Sequence, residues 1–144
     1  MISSFRGEYY FLSNFYDASV IYEGIMYKNS EAAFQAQKTL DINERMKFAN
    51  LSPSDAKKLG RKVTLRADWD DVKYLIMQNI VDAKFNQHPM LAKSLIATEN
   101  EHLEEGNTWG DKIWGTVNGV GSNWLGMILM NTRERLKKEL KGVI

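Results

Sequence analysis

The sequence predicts an α+β protein, mostly helical, with a small antiparallel β portion. Two patterns carry this reading. From residue 30 to residue 98, and again over 123–140, apolar residues recur at helical spacing between caps and breakers. Residues 5–28 instead carry Tyr9, Tyr10, Phe11, Phe15, Val20, Ile21, Tyr22 and Tyr27, punctuated by Gly7 and Gly24. Aromatic and β-branched enrichment with turn residues reads as short strands and loops. Pro53 and Pro89 are the only prolines, so long helices are permitted.

Taken in order, Tyr22-Glu-Gly-Ile-Met-Tyr27 reads as a tight hairpin. Asn29 or Ser30 caps a helix over roughly 31–40, and a second covers about 42–50. Ser52-Pro53 opens a short helix that Gly60 ends. Trp69-Asp70-Asp71 opens the longest, about 70–86, with Val72, Leu75, Ile76, Ile80 and Ala83 as its apolar stripe. His88-Pro89 breaks it, and another helix runs over about 90–98. Residues 103–121 are rich in glycine and polar residues. Ser122 or Asn123 then caps a last helix with Leu125, Ile128, Leu129, Leu136 and Leu140 inward.

Composition narrows the function classes. The 144 residues fit one domain, expected over 1–144, and 44% hydrophobic with 26% charged residues excludes wholesale disorder. The chain has no cysteine, which excludes thiol catalysis, disulfides and Cys-ligated zinc. Nineteen basic residues against eighteen acidic give +1, so a general electrostatic grip on nucleic acid is not expected. The N-terminal residues lack the layout of a signal peptide, and no apolar run reaches the ~20 residues of a membrane span. A soluble, cytoplasmic protein is expected. His88 and His102 have no ligand pattern around them, so no metal and no cofactor are expected.

Two segments could hold chemistry. On a helix over 31–40, Glu31, Phe34, Gln35 and Lys38 share one face, and Ala33, Ala36 and Leu40 lie roughly opposite. The polar face fits a solvated surface, the usual meaning of such a pattern, and also the lining of a cleft. In the 105–123 segment, Asp111 lies between Trp109 and Trp114 among five glycines. It leads into a helix N-terminus whose free N–H groups suit a phosphate. A glycine-rich surface loop over tucked tryptophans fits the same residues.

The chain resembles the YbiA-like, or NADAR, family. The resemblance rests on Phe11-Leu-Ser-Asn-Phe15, Tyr27-Lys-Asn-Ser-Glu-Ala-Ala-Phe-Gln-Ala-Gln-Lys38, Ala56-Lys-Lys-Leu-Gly-Arg61 and Leu65-Arg-Ala-Asp-Trp69. It continues through Glu105-Gly-Asn107, Trp109-Gly-Asp111, Trp114-Gly115, Gly121-Ser-Asn-Trp-Leu-Gly126 and Leu129-Met-Asn-Thr-Arg133. These blocks keep their order over nearly the whole chain; Trp124 departs, standing where a smaller or more polar residue is expected.

The resemblance implies hydrolysis of an N-glycosidic bond between ribose and a base. The implied substrate is a phosphoribosylamino-pyrimidine intermediate of riboflavin synthesis. Removal of ADP-ribose from guanine, in nucleic acid or nucleotide, and non-catalytic ADP-ribose binding are the alternatives. By position the family motif points to Glu31, Lys38 and Asp111 as the catalytic set, with Glu31, Gln35 and Lys38 facing a cleft that Asp111 also reaches. Asn14, Gln35, Trp69, Glu105, Asn107, Trp109, Trp114 and Asn123 are the implied substrate contacts, with Arg6, Lys57 and Arg61 for phosphate. Trp69 and Trp114 are expected to be mostly buried in the pocket wall.

Overall fold

The computed structural model describes residues 1–143. The chain forms two compact units, Asn14–Gln87, and Met1–Ser13 together with the chain from His88 onward.

The Asn14–Gln87 unit begins with the antiparallel hairpin β1 (Val20–Tyr22) and β2 (Ile25–Tyr27), Tyr22 opposite Ile25. Glu23 and Gly24 turn it with φ of 49° and 82°, the positive pair that a tight two-residue turn needs. Helices α1 (Ser30–Ala36), α2 (Ile42–Met46), α3 (Pro53–Gly60) and α4 (Trp69–Gln87) follow. Asn29 caps α1 by accepting from the Ala32 N–H, and Ser52 caps α3 by accepting from Asp55, with Pro53 in the first turn.

Helix α1 lies at the centre of this unit, packed on the hairpin, α3 and α4. All seven of its residues are buried, so the reading of one face as solvated is corrected. Ala32, Ala33 and Ala36 supply the small surface that lets its neighbours approach closely. The helix is shorter than 31–40. Gln37 closes it with backbone bonds to Phe34 and Gln35, so Lys38 lies in the turn beyond and Leu40 is 67% exposed.

Helix α4 buries Trp69, Ile76, Met77, Ile80, Val81, Lys84 and Phe85. The stripe is therefore turned from the expected one, and Leu75 is 62% exposed. Trp69 meets Phe34 of α1, ring centroids 5.1 Å apart.

In the other unit, a 3-10 helix (Gly7–Leu12) stands where short strands were expected, with Phe11 and Leu12 buried. Helices α5 (Pro89–Ile96) and α6 (Trp124–Val143) pack on each other. Leu95, Leu103, Leu125, Ile128, Leu129 and Leu136 are buried, whereas Leu140 is exposed near the end of α6. The segment before α6 holds isolated bridges, Leu103 to Ile2, Gly106 to Thr116 and, last, Val117 to Val120. Asn118 and Gly119 turn the Val117–Val120 bridge at φ of 53° and 78°. Among the described residues no helix is long and apolar enough to cross a membrane.

Candidate active site

The first cluster is built on α1. The Glu31 N–H donates to the Asn14 carbonyl at 3.1 Å, which fixes where the helix starts. Glu31 and Gln35 are one turn apart and both buried. The Gln35 Nε2 donates to the Glu31 Oε2 at 2.8 Å. The Asn14 side chain is buried as well, its Nδ2 3.3 Å from the Met77 Sδ.

Lys38 follows in the turn that ends the helix, half-buried, its N–H on the Gln35 carbonyl. Burial pushes its ammonium below the usual lysine range. Glu31 pushes it back up, and Arg61, Lys57 and Lys73 push it down again. Lys57 and Arg61 come from α3 and its cap, and Lys73 from α4, so cations from two further elements act on Lys38. The sequence reading missed Lys73; its spacing of four from Trp69 placed it on the same face as that buried ring. Trp69 itself is buried against Phe34.

The second cluster is the segment before α6, where side chains tie the backbone. The Asn107 Oδ1 accepts from the Asp111 N–H at 3.0 Å, and its Nδ2 donates to the Asp111 carbonyl at 2.9 Å. The Asp111 Oδ1 accepts from the N–H groups of Ile113 and Trp114, both at 3.0 Å, closing an Asx turn. Asn123 is held at φ 51°; its Oδ1 accepts from the Glu105 N–H and its Nδ2 donates to the Leu103 carbonyl. Glu105 also gives its carbonyl to the Thr116 N–H. Trp114 is half-buried and meets Trp124 edge-on at 5.4 Å, whereas Trp109 is 57% exposed.

This network corrects one expectation. The N–H groups of Ser122, Asn123, Trp124 and Leu125 donate to the carbonyls of Lys112, Gly115, Ile113 and Trp114. The first N–H groups of α6 are therefore taken by the folded-back loop and not open to a phosphate.

A cleft of about 340 Å³ opens in the same unit, lined by Ser3, Ser4, Arg6, Asn107, Thr116 and Asn118 among others. Arg6 and Asn107 thus share a wall, whereas Asp111, Trp109 and Trp114 do not line it. Glu31, Gln35 and Lys38 are brought together in the Asn14–Gln87 unit, with Asn14, Lys57 and Arg61 around them; Asp111, Glu105 and Asn123 belong to the other unit.

A short buried helix thus carries a carboxylate bonded to an amide, followed by a half-buried lysine. The chain matches the NADAR domain over residues 3–137 and belongs to that family. N-glycosidase YbiA of Shigella flexneri serotype 5b is 40% identical over 131 residues, 88% of this chain and 81% of that protein. A riboflavin biosynthesis protein of Vibrio vulnificus is 37% identical over 132 residues, 89% of this chain and 36% of that longer protein. The NMR structure of the E. coli protein YbiA superposes with a TM-score of 0.83 at 36% identity, covering 96% of this chain and 88% of that one. The fold is the YbiA fold, and the enzyme class is a hydrolase acting on N-glycosyl compounds.

Proposed function

We propose that the chain hydrolyses the N-glycosidic bond between a ribose phosphate and an amino-pyrimidine, a riboflavin-pathway intermediate, in the cytoplasm. The observation that carries the reading is the buried Glu31 carboxylate beside Lys38, with Lys57, Arg61 and Lys73 acting on the same lysine. Breaking the bond builds positive charge at C1′ and the ring oxygen. Glu31 stabilises that charge or activates the attacking water, and the surrounding cations suit a phosphate dianion. The riboflavin-named relative supports the choice of base.

Lys38 has three possible uses: to protonate the departing nitrogen, to hold the phosphate, or to attack C1′ of an opened sugar as a neutral amine. Its lowered affinity for protons favours the last over an ordinary surface lysine. Asp111 joins the set as second carboxylate on the family resemblance. Since its Oδ1 holds the turn, any proton traffic falls to its other oxygen.

One observation favours a second reading. Lys57, Arg61 and Lys73, three cations around Lys38, exceed what a single phosphate needs, and a diphosphate would use them better, as in ADP-ribose on guanine. Incubating the full chain separately with a phosphoribosylamino-pyrimidine and with ADP-ribosylated guanosine, and detecting released base by mass spectrometry, separates the two. Release from the first alone supports the main reading. Release from the second alone replaces it.

A further inference from the structure

We propose that Gln35 is a positioning residue for this reaction: its side-chain amide fixes the orientation of the Glu31 carboxylate, and Gly60 of α3 makes the room that the amide occupies. The catalytic part of this inference rests on the reading of Glu31 as the reacting carboxylate; the geometric part does not.

Gln35 is 7% exposed, and its Nε2 donates to the Glu31 Oε2 at 2.8 Å. An ionised carboxylate only accepts hydrogen bonds, so the nitrogen must be the end that faces it. The other end is then committed. The Gln35 Oε1 is buried and has no hydrogen-bond partner. A buried acceptor left without a donor is costly, and such groups persist where another demand holds them.

That demand has a matching feature on α3. A Cβ placed on Gly60 would lie 2.1 Å from the Gln35 Oε1, 2.9 Å from its Cδ and 3.3 Å from its Cβ. Gly60 ends a regular helical turn, with no positive φ to call for glycine. The demand for glycine comes from the amide lying against it. Any larger residue would push the amide off the line that reaches Glu31. Lys57 on α3, Arg61 at its cap and Lys73 on α4 act with Glu31 on Lys38 beyond α1. α3 also carries Asp55 and Lys58, and α4 also carries Asp70, Asp71, Asp82 and Lys84. None of these is altered by the variants below.

The test is a carbon-13 NMR titration of the glutamate side-chain carboxyls in the full chain, the Glu31 signal being assigned by its loss in Glu31→Gln. Gln35→Met keeps length and removes the donor, so the Glu31 midpoint should rise by about one pH unit. Gly60→Ala should move it in the same direction although Gln35 is still present. An unmoved midpoint in both variants overturns the proposal. Turnover gives a second reading: Gln35→Met should lower kcat roughly 10- to 100-fold with little change in KM, and should add nothing in the Glu31→Gln background. A raised KM with intact kcat, or a further loss in that background, makes Gln35 a substrate contact and overturns it. Should Gln35→Met fail to fold, Gln35→Asn takes its place: it adds no charge and draws the amide back from Glu31, so the midpoint should again rise, and an unmoved midpoint overturns the proposal. Full turnover in Glu31→Gln removes the catalytic reading of Glu31, and the titration alone then decides the positioning.

Discussion

Lys84 offers a test of the core of the Asn14–Gln87 unit. It is 1% exposed on α4, and its Nζ lies 5.7 Å from the Tyr16 ring centroid and 5.3 Å from that of Phe85. Burial takes its pKa down from 10.5 to about 7. In the unfolded chain the amine keeps its proton up to near 10.5, so above about pH 7 the unfolded state binds more protons than the folded one. Stability must then rise with pH from about 7 toward 10.5, and this contribution must be flat below 7. Between pH 7 and 9.5 the gain is roughly 3 kcal/mol, at about 1.4 kcal/mol per unit. Urea unfolding followed by tryptophan fluorescence at half-unit steps measures it. Lys84→Met keeps the stem and removes the titration, so its midpoint should lose most of that slope. Parallel slopes for the two proteins would refute the reasoning, because the amine would then carry its proton equally in both states.

Gly60→Ala should lower stability by about 1–3 kcal/mol in the same urea assay, against the gain of up to ~1 kcal/mol that this exchange brings in an open helix. Asn107→Ala removes the side-chain bonds to the Asp111 backbone at 2.9 and 3.0 Å and should destabilise by about 2 kcal/mol, with faster amide hydrogen exchange at Asp111. Lys38→Arg keeps the charge and removes a possible nucleophile. Turnover lost in this variant, with borohydride trapping of a sugar adduct on the unaltered protein, assigns the amine a covalent role, whereas near-normal turnover limits it to electrostatics.

Much of the fold was legible because local chemistry spoke for it. Asn29, the Ser52-Pro53 pair and His88-Pro89 marked helix ends that the structure keeps. Periodicity alone was less reliable where both faces of a helix are covered. Helix α1 reads as amphipathic because Glu31 and Gln35 are polar, yet both are buried and bonded to each other, a pairing that composition does not reveal. The α4 stripe of Val72, Leu75, Ile76, Ile80 and Ala83 left out Trp69, Met77, Val81 and Phe85, which the helix buries beside Ile76 and Ile80. The Val117-Asn-Gly-Val120 hairpin signal was present but submerged among neighbouring glycines. Gly60 read as a helix stop; its closeness to Gln35 is a tertiary fact that no local pattern holds. Likewise, the N-terminus of α6 looked open because nothing in the sequence shows that the 112–115 carbonyls fold back onto it.

The most direct measurement is single-turnover release of base from a phosphoribosylamino-pyrimidine by the unaltered chain and by Glu31→Gln, followed by mass spectrometry. The exchange keeps size and hydrogen bonding and removes one charge. The expected result is release by the unaltered protein and a ~10²- to 10⁴-fold slower rate in a variant that unfolds normally. Equal rates in the two proteins, or no release by either, would contradict the assignment of this carboxylate and this bond.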